Sequence, residues 1–93
     1  MNVLAIYPGS FDPITNGHID IVKRALRVFD KIIILVAVNP GKKYLFSVEE
    51  RVQMIKDSLK EYPQVSVDST SGLTVHYAQK VGANAMIRGL RAA

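Results

Sequence analysis

Val3-Leu4-Ala5-Ile6-Tyr7-Pro8-Gly9-Ser10-Phe11-Asp12-Pro13-Ile14-Thr15-Asn16-Gly17-His18 joins a short apolar run to a glycine turn and the start of a helical pattern. A strand that passes through such a turn into a helix builds an anion site. Glycine lets the backbone approach the ligand, and the helix start offers N–H groups and a positive dipole end. Thr15-Asn16-Gly17-His18 adds an imidazole at that helix start, where an anion would sit. The combination points to chemistry on a phosphate and not only to binding one.

Outward from this stretch, strand and helix signals alternate to the end of the chain. The first strand is read over residues 3–7 and the first helix over 17–29, with Ile19, Val22, Leu26 and Phe29 at spacings of three and four. Residues 32–38 are continuously apolar and rich in β-branched side chains, as a strand covered on both faces requires. Asn39-Pro40-Gly41 breaks the chain. Ser47 and Glu50 form a capping-box pattern for a second helix, whose apolar face is Val48, Val52, Ile55 and Leu59 and which Pro63 ends. A third strand is read over 65–67 and a third helix over 73–81, with Gly82 as its stop. A fourth strand covers 85–87. This β-α-β-α-β-α-β order predicts one α/β domain over residues 1–93, a Rossmann-like doubly wound parallel sheet. A first strand at the centre is the natural expectation, although the spacing alone does not fix strand order.

Composition sets limits on the function. The chain has 93 residues, 48% hydrophobic and 22% charged, without cysteine, so disulfides and thiolate metal sites are excluded. The start is strand-like and lacks a signal-peptide pattern, and the longest apolar run is too short to span a bilayer. A cytoplasmic protein is the expectation. The net charge of +4 suits anionic partners. Lys23, Arg24 and Arg27 read as a solvated helix face, Lys43 as a solvated loop charge and His76 as a surface residue. Asp12 reads as an Asx-type turn before Pro13, and Asp20 as a charge favouring the helix start, so neither is assigned to metal. The tyrosines Tyr7, Tyr44, Tyr62 and Tyr77 show no stacking pattern for single-stranded nucleic acid.

In open α/β sheets ligands bind beyond the carboxyl ends of the strands. Ser10 and His18 follow the first strand, Lys42 the second, and Arg88 and Arg91 the fourth. The topology therefore predicts a hydroxyl, an imidazole and three cations on one rim, a set suited to a triphosphate and a second phosphate.

The residues 8–18, Lys42, Phe46-Ser47-Val48-Glu49-Glu50-Arg51 and Ile87-Arg88-Gly89-Leu90-Arg91 keep the order and spacing of a known family. The chain resembles bacterial phosphopantetheine adenylyltransferase, of the nucleotidyltransferase superfamily with the (T/H)xGH motif. The resemblance covers the N-terminal part of that family. It implies a further C-terminal part, with another helix, another strand and much of the adenine and ribose contact, so residues 1–93 would be a truncated domain. It also implies transfer of AMP from ATP to 4′-phosphopantetheine in coenzyme A biosynthesis, with Mg²⁺ accompanying the nucleotide. Neither nucleic acid nor membrane would be a partner, and the family assembles as hexamers.

The resemblance assigns roles residue by residue. His18 contacts the α-phosphate and stabilises the transition state. Ser10 binds phosphate beside the Phe11 backbone, and Gly17 stays small so that the helix start can approach the nucleotide. Lys42 orients the attacking phosphate. Arg88 and Arg91 hold phosphate oxygens, Gly89 lies with Arg91 at the nucleotide, and Leu73 and Thr74 line the pantetheine arm. His18, Lys42 and Arg91 are thus the candidate catalytic residues. The alternatives are a catalytically inactive nucleotide- or phosphate-binding module, another nucleotidyltransferase of the superfamily, and a small basic nucleic-acid binder.

Overall fold

The structure, a computed structural model, describes residues 3–88. Its elements follow the predicted alternation: β1 (Leu4–Gly9), α1 (Asn16–Ala25), β2 (Lys31–Ala37), α2 (Val48–Ser58), β3 (Val65–Thr70), α3 (Thr74–Val81) and β4 (Ala85–Met86). The four strands form one sheet in the order β3-β2-β1-β4, and every pairing is parallel. The chain therefore steps outward from β1 through β2 to β3, then returns across the sheet to the other side of β1. That reversal lies between β1 and β4, the place where open α/β sheets leave a crevice.

Register and the two-residue period of strands decide which side chains meet the helices. Tyr7, Ile34 and Val67 are in register, as are Ala5, Ile32 and Val65. Tyr7, Ile32, Ile34 and Val36 are buried in one cluster with Val22 of α1 and Ile55 of α2, and with Leu59. Each such aliphatic side chain contributes about 1.5–3 kcal/mol of transfer free energy when fully buried. The opposite face holds Ile6 and Leu35, both fully buried, but its β3 positions are Ser66 and Asp68. There α3 is fastened by a polar contact, the Tyr77 hydroxyl donating to Asp68 at 2.7 Å. Burial and that carboxylate push the Tyr77 hydroxyl up to about 12.

Helix α1 and strand β3 end elsewhere than in the sequence reading, each for a local reason. Helix α1 stops at Ala25, not Phe29, because Arg27 and Val28 donate to the carbonyls three residues back and tighten the last turn. Asp30 then pairs with Val3 through both its backbone N–H and its carboxylate, which turns the chain into β2. Strand β3 runs on to Thr70, since Ser69 and Thr70 pair with Val36 and Ala37 after the apolar alternation has ended. The capping box of α2 is present in both directions, with Ser47 Oγ accepting the Glu50 N–H at 3.1 Å and Glu50 Oε1 accepting the Ser47 N–H at 3.0 Å. Gly82 closes α3 in the left-handed region at φ 72°.

Candidate functional site

The turn after β1 is built around a buried aromatic side chain. Phe11 sits at φ 48°, and its ring is 2% exposed. It meets the Tyr7 ring edge-on at a centroid distance of 5.2 Å and the His18 ring at 4.8 Å. A Cβ on Gly9 would stand 3.0 Å from Phe11 Cε2, so glycine is what lets the Phe11 ring lie against the end of β1. The expected backbone residue of the turn is therefore also a core residue, and its side chain supports one face of the imidazole.

His18 is held from the other side by its own helix. Thr15 is the N-cap of α1, and its Oγ1 accepts the His18 N–H at 3.4 Å. In return His18 Nδ1 accepts the Thr15 N–H at 2.9 Å and lies 3.1 Å from Thr15 Oγ1. This is a capping box with histidine in the place of the usual Glu or Gln. With Nδ1 fixed as acceptor, the neutral ring carries its hydrogen on Nε2 and presents it as a donor. Burial pushes the His18 pKa below its ordinary value of 6.5. The ring is thus a neutral donor at neutral pH, and protonation would set an Nδ1–H against the Thr15 N–H.

Because His18 binds its proton less tightly folded than unfolded, its share of stability is present above pH 6.5 and is lost as pH falls through the lower folded value. Imidazole ¹⁵N shifts of the ligand-free protein should show the Nε2–H tautomer at neutral pH and a midpoint below 6.5. A midpoint above that value would remove the donor assignment.

A cavity of about 690 Å³ opens over this helix start, walled by Gly9, Phe11, Thr15, Gly17 and His18 and reaching Arg24. Its size is within the range of small-molecule sites. A second cavity of about 390 Å³ brings Thr74 and Arg88 together, and Pro8 lies on the wall of both. Both cavities reach the end of β1, the first with α1 and the second with the start of α3 and the end of β4. Of the predicted site residues, Phe11, Gly17 and His18 share the first cavity, and Thr74 and Arg88 the second. Lys42 is exposed on the loop after β2, with Nζ 6.0 Å from the Tyr44 ring centroid, and lines neither cavity. Leu73 is 64% exposed at the N-cap of α3. Ser10 is half-buried, and its carbonyl accepts a hydrogen bond from Arg51. Gly89 and Arg91 lie outside the described residues.

The family model described as cytidylyltransferase-like matches residues 6–93. The chain belongs to that family. It is 54% identical over 92 residues to phosphopantetheine adenylyltransferase of Desulfatibacillum aliphaticivorans, which covers 99% of this chain and 53% of that one. To phosphopantetheine adenylyltransferase of Desulforamulus reducens it is 58% identical over 89 residues, 96% of this chain and 55% of that one. The chain spans about half the length of the curated relatives it matches. Among solved structures, a bifunctional NMN adenylyltransferase/ADP ribose pyrophosphatase from Francisella tularensis, complexed with AMP and a Mn ion, superposes with a TM-score of 0.65. It is 26% identical, and the match covers 87% of this chain and 25% of that one. A lipopolysaccharide core biosynthesis protein from Thermoplasma volcanium gives a TM-score of 0.73 at 21% identity, covering 90% and 71%, and shares the fold.

Two acidic residues of this cytidylyltransferase-like chain are placed differently from the expectation. Asp12 lies in a turn with Pro13, but its carboxylate does not close that turn. Its two carboxylate oxygens accept the N–H groups of Leu45 and Phe46 at 2.6 and 2.9 Å, more than thirty residues away. Asp20 is outside the first turn of α1 and pairs with Arg24 at 3.1 Å on the exposed helix face. Among the described residues no group of three or more His, Asp or Glu side chains is placed to hold a metal ion. No helix there is long and apolar enough to cross a membrane. Sequence reading missed Thr15 as the partner of His18, although a hydroxyl residue three positions before a hydrogen-bonding side chain is a capping-box signal. It also gave no role to Arg51, the one charged residue among the buried side chains of the described residues.

Proposed function

We propose that the whole protein transfers the adenylyl group of ATP to 4′-phosphopantetheine, giving dephospho-coenzyme A and pyrophosphate. The observation that carries the reading is the doubly supported His18, whose Nδ1 accepts the Thr15 N–H and which lines a cavity at a helix start. An oxygen of the acceptor phosphate attacks the α-phosphorus, the bond from that phosphorus to the α,β-bridging oxygen breaks, and pyrophosphate leaves with the electron pair. The attacking phosphate is already an anion and needs no strong base. What limits the step is repulsion, alignment and charge build-up on the α-phosphate, all of which oriented N–H donors and cations relieve. His18 Nε2–H and the N–H groups opening α1 act on the α-phosphate, Ser10 binds phosphate, and Lys42 orients the acceptor. Thr74 and Arg88, together in the second cavity, receive the acceptor, with Leu73 at its outer edge.

The Francisella tularensis neighbour holds AMP and a Mn ion, and a divalent cation, Mg²⁺ by resemblance, fits this reaction as a companion of the nucleotide. The described residues do not form a resident site for it. Both oxygens of Asp12 are occupied and Asp20 is paired with Arg24, so no step is assigned to protein-held metal.

Pyrophosphate release should require ATP and 4′-phosphopantetheine together and be far slower with CTP or with nicotinamide mononucleotide as acceptor. Preference for either alternative would assign another reaction of the family. ATP binding without release would make the chain a binding module. Gly17→Ala separates nucleotide approach from folding. The nearest protein atom to an added Cβ is Thr15 Oγ1 at an ordinary 3.6 Å. The helix should therefore keep or gain stability, by about 0.5–1 kcal/mol, while ATP affinity falls about tenfold or more, about 1.4 kcal/mol. Unchanged ATP affinity in that variant would move the nucleotide off the start of α1.

A further inference from the structure

Two ties join the β1–α1 turn to the segment leading into α2, and the reaction proposed above uses neither. One is the Asp12 carboxylate on the N–H groups of Leu45 and Phe46. The other is Arg51, which is 1% exposed. Its Nη1 donates to the Ser10 carbonyl at 2.9 Å, its Nε to the Ser47 carbonyl at 3.4 Å, and its guanidinium lies 4.0 Å from the Tyr44 ring centroid. Tyr44 is itself anchored, its hydroxyl accepting the Asn39 N–H at 2.9 Å. Asn39 in turn closes the Lys42 loop, its carbonyl accepting the Lys42 N–H at 3.0 Å and its side chain the Gly41 N–H at 3.1 Å.

Arg51 makes no ion pair among the described residues, where Arg24 with Asp20 is the one such pair. Burying a guanidinium without a carboxylate is costly, and an apolar side chain of similar volume commonly serves a core as well. The feature that only arginine supplies is a rigid planar fork that reaches two carbonyls while stacking on an aromatic face. Both carbonyls and the ring belong to the two loops that carry Ser10 and Lys42.

We infer that Arg51 is a positioning residue: stacked on Tyr44, it pins the Ser10 carbonyl and holds the phosphate turn in register with the Lys42 loop. The consequence for turnover rests on the adenylyl-transfer reading, whereas the clamp itself does not. The test uses R51K, which keeps the charge and loses the fork, and Y44L, which removes the stacking face of a half-buried loop residue. Residue-resolved amide exchange should accelerate about tenfold or more at Leu45 and Phe46, with the central amides of Ile6 and Ile34 unchanged. ATP affinity should fall about tenfold in both variants, and K42A should cost less in the R51K background than in the wild type, a coupling that marks a shared geometry.

Exchange at Leu45 and Phe46 that stays at the wild-type rate overturns the inference. So does acceleration spread evenly over β1 and β2, which would make Arg51 an ordinary core residue. If R51K fails to fold, Y44L carries the same readout. If the wild-type protein neither binds ATP nor releases pyrophosphate, the adenylyl-transfer reading fails, and the exchange pattern still decides the clamp.

Discussion

Replacing His18 with alanine is expected to lower pyrophosphate release by about 10²–10³-fold, the cost of removing one preorganised donor from a developing oxyanion. The expectation follows from how the ring is held. Thr15 fixes Nδ1 as acceptor, Phe11 supports one face, and Nε2–H is left for the ligand. A donor so oriented needs no reorganisation when charge builds on the α-phosphate, and a water filling the space of the ring would not be so constrained. The stability effect should be small by comparison. The variant returns one exposed Thr15 N–H to water, about 1 kcal/mol. Urea unfolding alongside single-turnover kinetics separates the two. Turnover within threefold of the wild type would take His18 out of the reaction and leave it as a helix cap. Thr15→Ala provides the intermediate case. It removes the N-cap hydroxyl, about 1 kcal/mol, and its contact with Nδ1, while keeping the imidazole and the backbone N–H that Nδ1 accepts, so its rate loss should lie between wild type and His18→Ala.

The second large effect is on folding. Phe11→Ala should cost about 3–5 kcal/mol, the range for truncating a buried aromatic side chain. A small domain has about 5–15 kcal/mol in total, so this variant should sit close to the folding threshold. The ring fills the space between Tyr7 and His18 and lies against the Cβ-less face of Gly9, so nothing nearby can collapse into the void without moving β1 or α1. Alanine and phenylalanine share the backbone cost of the positive φ at this position, so the comparison isolates the side chain. Phe11→Leu restores most of the volume and should cost less than about 1.5 kcal/mol. A shift in the urea midpoint equivalent to under about 1 kcal/mol for Phe11→Ala would show that the turn is not part of the core. In whatever fraction folds, loss of the ring should also slow turnover, since His18 loses one of its two supports.

Much of the fold was legible because its signals are local or periodic. The β-branched run ending near Val38, the Ser47 and Glu50 pair, the Val48, Val52, Ile55 and Leu59 face and the Gly82 stop each require knowledge of only a few neighbouring residues. The parallel sheet followed from the alternation of elements and the handedness of crossover connections, whereas the spacing alone left the strand order open and the structure decided it. Errors came where a local pattern was continued by rule. The apolar spacing through Phe29 matched a helix, yet the chain had to turn early so that Asp30 could pair with Val3. The alternation of β3 ended at Val67, yet its backbone went on pairing with β2, because a ladder needs only N–H and C=O groups.

The site divides along the same line. His18 and Thr15 are three residues apart, so the sequence by itself determined that an imidazole would stand at a helix start beneath a glycine turn. Asp12 and Arg51 could not be read in that way. Asp12 looked like a turn former and Arg51 had no assigned role, because their partners, Leu45, Phe46, Ser10 and Tyr44, are distant in sequence or on another loop. The tertiary structure alone decided that Thr74 and Arg88 share one cavity while Phe11, Gly17 and His18 share another. Short-range hydrogen bonds are set by backbone geometry and side-chain reach. Long-range ones exist only after packing of α1 and α2 on one sheet face has met the loop-closure entropy and brought the loops together.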